Sequence, residues 1–210
     1  MLEKLLNLLF PSRCVGCRKK DELLCENCRR KSRRNFREKT SLPFVDKFLG
    51  WGVYEDKILK EALRRFKYHG TYGFVHPLAQ MLHELIKPHL SSFSSETLIV
   101  PIPMSKARKR ERGYNQAELL AKALAEKTSF PGSSEILLKT RNTPSQVSLA
   151  GRERLTNLQN SFDVSDPNRV WGKTILLVDD ISTTGTTLCE AARVLKNSGA
   201  KKVIGLVVAR

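Results

Sequence analysis

The stretch Ile-Leu-Leu-Val-Asp-Asp-Ile-Ser-Thr-Thr-Gly-Thr-Thr, residues 175–187, combines three local patterns around which the rest of the chain is arranged. Residues 175–178 are apolar without a break, which predicts a strand buried on both faces, as in a parallel sheet. Two aspartates come where this strand is expected to end, and hydroxyl side chains surround the glycine that follows. Apolar residues at helical spacing occupy residues 187–195. The stretch therefore predicts a strand, a polar loop and a helix in immediate succession.

This succession suits a sugar phosphate. The first turn of a helix offers unpaired N–H groups and about half a positive charge, so it attracts phosphate. Gly185 allows the backbone to approach a ligand closely, and the threonine hydroxyls add donors. Asp179 and Asp180 can accept hydrogen bonds from the neighbouring hydroxyls of a sugar. We therefore predict a sugar 5′-phosphate site at the carboxyl end of the strand, where open α/β sheets bind ligands.

The same residues closely resemble the phosphoribosyl-pyrophosphate (PRPP) motif of type I phosphoribosyltransferases. That motif is an apolar strand, Asp-Asp, two variable residues and Thr-Thr-Gly-x-Thr, and its fixed positions are met by Asp179, Asp180, Thr183, Thr184, Gly185 and Thr187. The resemblance implies that the two aspartates, the candidate catalytic residues, hold the ribose hydroxyls. It also implies that the loop 183–187, which includes Thr186, holds the 5′-phosphate.

Other sites share parts of this pattern. Gly172-Lys173-Thr174 looks like a fragment of a P-loop, but Pro167 stands where that motif needs a glycine, and the lysine precedes its strand. Receiver domains also have an apolar strand ending in Asp-Asp, yet too little chain follows here for a whole domain of that kind. A buried strand with a Ser/Thr-rich helix cap explains the hydroxyls but not two adjacent acids.

The composition indicates a partner with negative charge. The 210 residues include 37 Lys and Arg against 21 Asp and Glu, a formal net charge of +16. Nucleic acid, a pyrophosphate-bearing substrate or anionic lipid would suit that charge, as would a solvated basic surface. Residues 1–10 predict a short amphipathic helix, and peripheral membrane contact is an alternative to packing. No signal peptide or membrane span is recognised, so we expect a soluble, cytoplasmic protein.

Four cysteines near the N-terminus are spaced as two C-x-x-C pairs, namely Cys14, Cys17, Cys25 and Cys28. Paired spacing of this kind predicts a tetrahedral thiolate site for a structural Zn²⁺ ion. All four ligand positions are then used, so no position remains open for catalysis. A disulfide framework is not expected in a reducing cytosol. The fifth cysteine, Cys189, is predicted to be a small buried hydrophobe on the helix after the PRPP motif.

A basic run follows the cysteines. Residues 29–39 hold seven basic residues and one Glu. The run fits a nucleic-acid contact and a solvated linker equally well. We place the domain boundary near residues 40–43, giving a zinc module with its linker over 1–42 and a phosphoribosyltransferase-like domain over 43–210.

The remaining elements predict an α/β sheet. We expect strands over 47–54, 98–100, 136–138, 161–164 and 203–208, with helices beginning near 57, 74 and 114. Between the second of these strands and the helix at 114 lies a charged loop, which in the phosphoribosyltransferase order would bind pyrophosphate. Its candidate cations are Lys106, Arg108, Lys109, Arg110 and Arg112. Residues 139–159 match the position of that family's mobile hood loop.

Motifs along nearly the whole chain are similar to the ComF family of competence proteins. They are Phe-Lys-Tyr-His-Gly, Pro-Ile-Pro, Arg-x-Arg-Gly-Tyr-Asn-Gln, Arg-x-Thr-x-x-Gln-x-x-Leu and Glu-Arg-Leu-x-Asn-Leu, besides the cysteine pairs and the PRPP motif. The resemblance implies an N-terminal zinc module on a type I phosphoribosyltransferase-like parallel sheet flanked by helices. It implies PRPP with Mg²⁺ as ligands, a role in handling incoming single-stranded DNA, and other competence proteins as partners. An amidophosphoribosyltransferase reaction is not expected, because the sequence begins Met1-Leu2 without a glutaminase cysteine.

Two functions stay open. In one, the protein binds PRPP or a DNA end without turnover, and its basic surface holds single-stranded DNA. In the other, it is a phosphoribosyltransferase that transfers ribose 5-phosphate to a base or amine, with Mg²⁺ and the basic loops stabilising the leaving pyrophosphate. The high net charge favours the first, whereas the aromatic content of only 7% gives no evident base-stacking surface.

Overall fold

The computed structural model describes residues 12–33, 42–68, 71–140 and 161–210. Its centre is a four-stranded parallel sheet with the order β1–β6–β5–β2. The strands are β1 (Lys47–Gly52), β2 (Leu98–Pro101), β5 (Thr174–Ile181) and β6 (Lys202–Ala209). The strand of the PRPP motif, β5, is therefore an inner strand, paired with β2 from Leu98–Ile175 onward and with β6 from Thr174–Lys202 onward.

Helices cover both faces of the sheet. They are α1 (Glu26–Lys31), α2 (Lys57–Tyr68), α3 (Val75–Ile86), α4 (Lys106–Arg112), α5 (Gln116–Thr128) and α6 (Thr186–Asn197). Alternate residues of β5 face opposite ways, as the pleat of a strand requires. Leu176 and Val178 pack with α2, α3 and α5, whereas Ile175 and Leu177 pack with α6. Burial on both faces explains why β5 is apolar without a break from Ile175 to Val178.

Two predicted strands do not join this sheet. β3 (Leu137–Lys139) and β4 (Phe162–Val164) pair antiparallel as a separate two-stranded sheet. Their inward residues, among them Leu137 and Phe162, pack against the α6 side of the core. The prediction of strands at these positions is confirmed, but the expectation that they extend the main sheet is wrong. Each strand has only three residues, so short hydrophobic runs gave little information about the partner.

The segment predicted as a charged loop is in fact helical over most of its length. α4 begins after Ser105, whose hydroxyl accepts from the backbone N–H of Arg108 (3.4 Å), and ends at Gly113 in the left-handed conformation (φ 80°). Serine and glycine are the usual N-terminal and C-terminal caps. No residue of α4 is buried, so the apolar stripe that identifies a helix is missing.

The N-terminal residues pack directly on the larger domain. Cys14, Leu24, Cys25 and Cys28 belong to the same hydrophobic cluster as α2, α3 and β1. The indole N–H of Trp51 on β1 donates to the carbonyl of Arg29 (3.2 Å) and lies 3.3 Å from the Ser32 hydroxyl. Arg29 also pairs with Glu84 of α3 (2.9 Å). The boundary at residues 42 and 43 stays a prediction, but one hydrophobic core crosses it.

Several predictions fall outside the described residues: the helix over 1–10, the basic residues 34–39 and the hood loop beyond residue 140. Among the helices that the structure describes, none combines the length and apolar character needed to cross a bilayer.

Candidate functional site: a cleft at the carboxyl end of the parallel sheet

A cleft of about 630 Å³ lies at the carboxyl ends of β2 and β5. The acidic pair and the hydroxyl-rich loop before α6 form its floor. α4 and the first residues of α5 form one wall, and the second half of α2 forms the other. Asp179 and Asp180 and residues 183–187 thus lie together in one cavity, as the sequence predicts.

The two aspartates belong to β5 itself and do not follow it, because the strand continues to Ile181. Asp180 is buried, and its Oδ2 lies 3.1 Å from the ammonium of Lys67. Oδ1 of Asp179 accepts from the backbone N–H of Asp180 (2.8 Å). Burial and the charge of Asp180 raise the pKa of Asp179, and Lys67 opposes that rise only in part. Two adjacent carboxyls in a site with little solvent are costly to ionise together unless hydroxyls or cations satisfy them.

The loop that follows is shaped for an anion. Gly185 caps α6 in the left-handed conformation (φ 79°), and a Cβ at this position would lie 2.6 Å from Cδ2 of Leu42. The hydroxyls of Thr184 and Thr186 are 2.8 Å apart, and both line the cleft. α6 is a regular helix of 12 residues, so its N-terminal N–H groups carry the full positive end of the helix dipole.

The structure sorts the five predicted pyrophosphate-binding cations into two groups. Arg108 and Arg112 line the cleft. Lys106, Lys109 and Arg110 are not among its lining residues, and the ammonium of Lys109 pairs with Glu118 (2.9 Å). Helical geometry explains the division, because residues three and four apart share a face: Glu111 and Arg112 line the cleft together with Arg108, whereas Lys109 and Arg110 do not. Arg110, predicted as a site residue, is therefore not among the residues that line the cleft.

Sequence reasoning missed three further cations in the cleft. Arg64 and Lys67 come from α2 and Lys139 from β3. The Lys139 ammonium also lies 5.5 Å from the ring centroid of Phe162. Burial lowers the pKa of Lys139, as does the nearby charge of Arg108, while Asp179 opposes the change. The sequence signal for Lys67 was its place in the Phe-Lys-Tyr-His-Gly motif, but only the folded chain brings α2 to the cleft.

Tyr114 and Asn115 of the Arg-Gly-Tyr-Asn-Gln motif hold the elements of the cleft wall in position. The hydroxyl of buried Tyr114 donates to the carbonyl of Phe66, which fixes the end of α2. Asn115 caps α5 by accepting from the N–H of Ala117 (3.0 Å), and its amide donates to the carbonyl of Ile102 (3.0 Å). These bonds tie the Pro-Ile-Pro loop, α2 and α5 into one frame around the acidic pair.

The four N-terminal cysteines form a second candidate site. Their sulfur atoms all lie within 4.8 Å of one another, and the sulfur of Cys25 is 3.6 Å from that of Cys14 and 3.5 Å from that of Cys17. A tetrahedral site with Zn–S bonds of 2.3 Å requires sulfurs about 3.8 Å apart, so the cluster could hold zinc. A Cβ on residue Gly16 would lie 2.6 Å from the sulfur of Cys28, which accounts for the glycine between the first pair.

Burial raises the pKa of Cys28 to about 12, and the neighbouring thiols add to that rise. Burial also raises the pKa of Cys14, but hydrogen bonds from the backbone at Cys25, Cys17 and Gly16 outweigh it and bring the value to about 6. Buried thiolates this close together disfavour one another, and a bound cation would stabilise them.

Comparison with known proteins adds a family match. A family model described as the phosphoribosyl transferase domain matches residues 82–210. The chain is 29% identical over 164 residues to Competence protein F of Haemophilus influenzae, covering 77% of this chain and 71% of that protein. It is 36% identical over 152 residues to Competence protein ComFC of Bacillus subtilis, covering 70% and 57%.

A third relative is the DNA utilization protein YhgH of Escherichia coli, which is 38% identical over 105 residues, covering 50% of this chain and 45% of that protein. The chain thus spans less than two thirds of the length of the second and third relatives.

Proposed function

This chain belongs to the phosphoribosyl transferase domain family and is a ComF-family competence protein, and from that premise we propose that it binds PRPP in the cleft and handles incoming single-stranded DNA during natural transformation. The observation that carries the proposal is that an acidic pair, an anion-binding helix terminus and five cations line one cleft.

Each part of PRPP has a counterpart among these groups. Asp179 and Asp180 accept hydrogen bonds from the two ribose hydroxyls. These bonds stabilise the ionised carboxylates, which burial otherwise disfavours. The loop 183–187 and the first turn of α6 hold the 5′-phosphate. Arg108 and Arg112 face the pyrophosphate, and Lys139 lies beside them in the cleft. Mg²⁺ accompanies PRPP, since carboxylate oxygens beside a pyrophosphate are the ligands that this ion prefers.

The test is calorimetric titration of the protein with PRPP in the presence of Mg²⁺. Asp179→Asn combined with Asp180→Asn should abolish binding while the protein stays folded. Arg108→Gln should weaken binding, and Arg110→Gln, which makes the same charge change on the same helix outside the cleft, should not. Unchanged affinity in the double aspartate variant would show that PRPP binds elsewhere or not at all.

We also propose that the four cysteines hold one structural Zn²⁺ ion. The sulfur spacing and the burial of three of the four side chains support this. Four thiolates fill a tetrahedral site, so no ligand position stays open. Metal analysis of protein purified without chelator should give one zinc per chain. Less than half an equivalent would contradict the assignment.

For DNA, the proposal rests on the surplus of cations beyond those that PRPP can engage. The structure reduces the number of residues in the basic run that are available to DNA. Arg29 is largely buried in its pair with Glu84, and Arg33 lies 5.0 Å from the Trp51 ring centroid. Lys31 is exposed at the end of α1, and the run continues with Arg34 and Arg37.

Replacing Lys31, Arg34 and Arg37 by Gln should make the salt dependence of oligonucleotide binding shallower. Each lost phosphate contact lowers the slope of log affinity against log salt by about 0.7 on a single strand. PRPP affinity should stay unchanged if the run contacts only DNA; Lys31, the one of the three that the structure describes, is not among the residues that line the cleft. Equal slopes for the two proteins would make the run a solvated linker.

Turnover of PRPP is the second candidate function, and the α2 wall favours it. Tyr54, Arg64 and Tyr68 line the cleft opposite α4, so an acceptor could lie between them and the ribose. In such a reaction the bond from ribose C1 to pyrophosphate breaks as a bond from C1 to an acceptor nitrogen forms. Labelled PRPP incubated with a panel of bases and amines, with and without single-stranded DNA, tests this directly. Release of pyrophosphate that depends on an acceptor and on Asp179 would establish an enzyme.

A further inference from the structure

Trp171 holds an unusual position at the opposite end of the sheet from the cleft. It follows the single turn Pro167–Arg169, precedes β5 and is 73% exposed, more than any other large hydrophobic side chain in the described ranges. An exposed indole of this size is not explained by packing alone.

The backbone holds one face of that indole. A Cβ built on Gly199 would lie 2.3 Å from Cε3 of Trp171 and 2.9 Å from both ring neighbours, Cδ2 and Cζ3. Distances this similar place Gly199 over the face of the ring and not at its edge. Gly199 adopts φ 91° and its N–H donates to the carbonyl of Lys196, so it ends α6 and supports the indole at once. One face of the ring is therefore fixed, and the exposure of the side chain leaves the other face open to solvent.

Lysine-bearing segments adjoin Trp171. The backbone N–H of Gly172 donates to the carbonyl of Gly199 (2.8 Å), and that of Lys201 donates to the carbonyl of Lys173 (2.9 Å), so two lysine-bearing segments meet beside Trp171. Lys173 has Glu96 at 3.7 Å. Lys201 and Lys202 are exposed, and neither forms an ion pair within the part of the chain that the structure describes.

We propose that Trp171, with Lys201 and Lys202, is a stacking site for a base of single-stranded nucleic acid, whose backbone phosphates the lysines neutralise. A rigid aromatic face flanked by cations is the arrangement that binds single strands with little sequence preference. An anionic membrane is disfavoured as the occupant, because an indole lying flat over Gly199 cannot project into the acyl region. The inference rests on the proposed handling of single-stranded DNA and gives it a contact surface outside the cleft.

The distance between the two sites makes them separable by experiment. β5 has eight residues at about 3.3 Å per residue, so its ends lie roughly 23 Å apart. Trp171 precedes the amino end of β5 and the cleft lies at the carboxyl end, so changes at Trp171 should leave PRPP binding unaltered.

The experiment uses the protein's own fluorescence and a short fluorescein-labelled oligothymidylate. The chain has two tryptophans, and Trp51 is fully buried, so quenching by unlabelled oligothymidylate should come from Trp171 alone and vanish in Trp171→Phe. By anisotropy, Trp171→Ala should weaken binding of the labelled oligonucleotide roughly 5- to 150-fold, while Trp171→Phe should retain most of the affinity.

Two further variants test the lysines. Lys201→Gln with Lys202→Gln should weaken binding and flatten its salt dependence. Lys122→Gln with Lys127→Gln, an equal charge change on the exposed side of α5, should do neither. If the wild-type protein binds oligothymidylate and all of these variants bind equally well, the stacking site is wrong while DNA handling stands.

If the wild-type protein does not bind oligothymidylate at all, the stacking site and the proposed handling of single-stranded DNA both fail. A blue shift of the emission with phosphatidylserine vesicles, without quenching by oligothymidylate, would assign the surface to a membrane and overturn the proposal.

Discussion

Loss of the proposed zinc site should destabilise the larger domain, because Cys14, Cys25 and Cys28 share one hydrophobic cluster with Trp51. We consider Cys28→Ser combined with chelator treatment, in a Trp171→Phe background that leaves Trp51 as the reporter. If residues 12–33 detach, the Trp51 indole loses its contacts with Arg29 and Ser32. At 0.5–1.5 kcal/mol for each hydrogen bond, the lower limit of the destabilisation is about 1–3 kcal/mol.

The upper limit comes from complete exposure of the ring. A tryptophan buries 150–250 Å², which at 25 cal/mol per Å² gives about 4–6 kcal/mol. Since a protein of this kind has a total stability of about 5–15 kcal/mol, the larger domain is weakened markedly even if it remains folded. At 2–4 °C per kcal/mol, the lower limit alone corresponds to a fall in Tm of roughly 2–12 °C.

The assay is emission of Trp51 followed with temperature. We expect a red-shifted maximum and a lower Tm in zinc-free Cys28→Ser. Cys189→Ser, which alters the cysteine outside the cluster, should change neither. A zinc-free protein with blue emission and an unchanged Tm would refute the shared core and support two independently stable units.

Three other substitutions test the cleft. Asp179→Asn should stabilise the ligand-free protein at neutral pH in thermal melts. Because the pKa of Asp179 is raised in the folded state, the wild-type protein loses stability as the pH rises above the pKa of the unfolded state, and the amide variant does not. A gain in Tm that persists at pH 3 would contradict this. Gly185→Ala should cost about 1–2 kcal/mol in urea unfolding from its left-handed backbone alone, displace Leu42 and weaken PRPP binding; full affinity would show that the loop does not hold the phosphate. Tyr114→Phe should destabilise by about 1–3 kcal/mol, since it leaves the buried Phe66 carbonyl without its donor, yet PRPP affinity in calorimetry should change little.

Local sequence patterns predicted the central strand, the PRPP loop and the cysteine cluster because each is encoded within a few adjacent residues. An uninterrupted apolar run predicts β5 whatever packs on it, and paired cysteines predict a shared cluster at short range. Asp179 and Asp180 lie in the same cleft as the loop 183–187, and this proximity could be predicted without reference to distant residues.

The other half of the cleft was not predictable in this way. Lys67 reaches Asp180 from α2, more than a hundred positions earlier in the chain, and no short pattern encodes that approach. Charge alone does not separate Arg110 from Arg108, because it does not reveal a helix without a buried face. The caps Ser105 and Gly113 were the available signal for α4, and they would have separated the two arginines.

The edge position of β1 has a consequence for how the chain is made. Its sheet partner is β6, and Asp46 beside β1 accepts from the N–H of Val203, 157 positions later. On the ribosome, β1 and Trp51 must therefore wait for nearly all of the intervening chain before they gain a partner, whereas the cysteine cluster needs only residues already synthesised. If the cysteine cluster binds its proposed zinc ion early, it would cover Trp51 during that delay. The edge of β1 is then unpaired and most exposed to pairing with a neighbouring nascent chain.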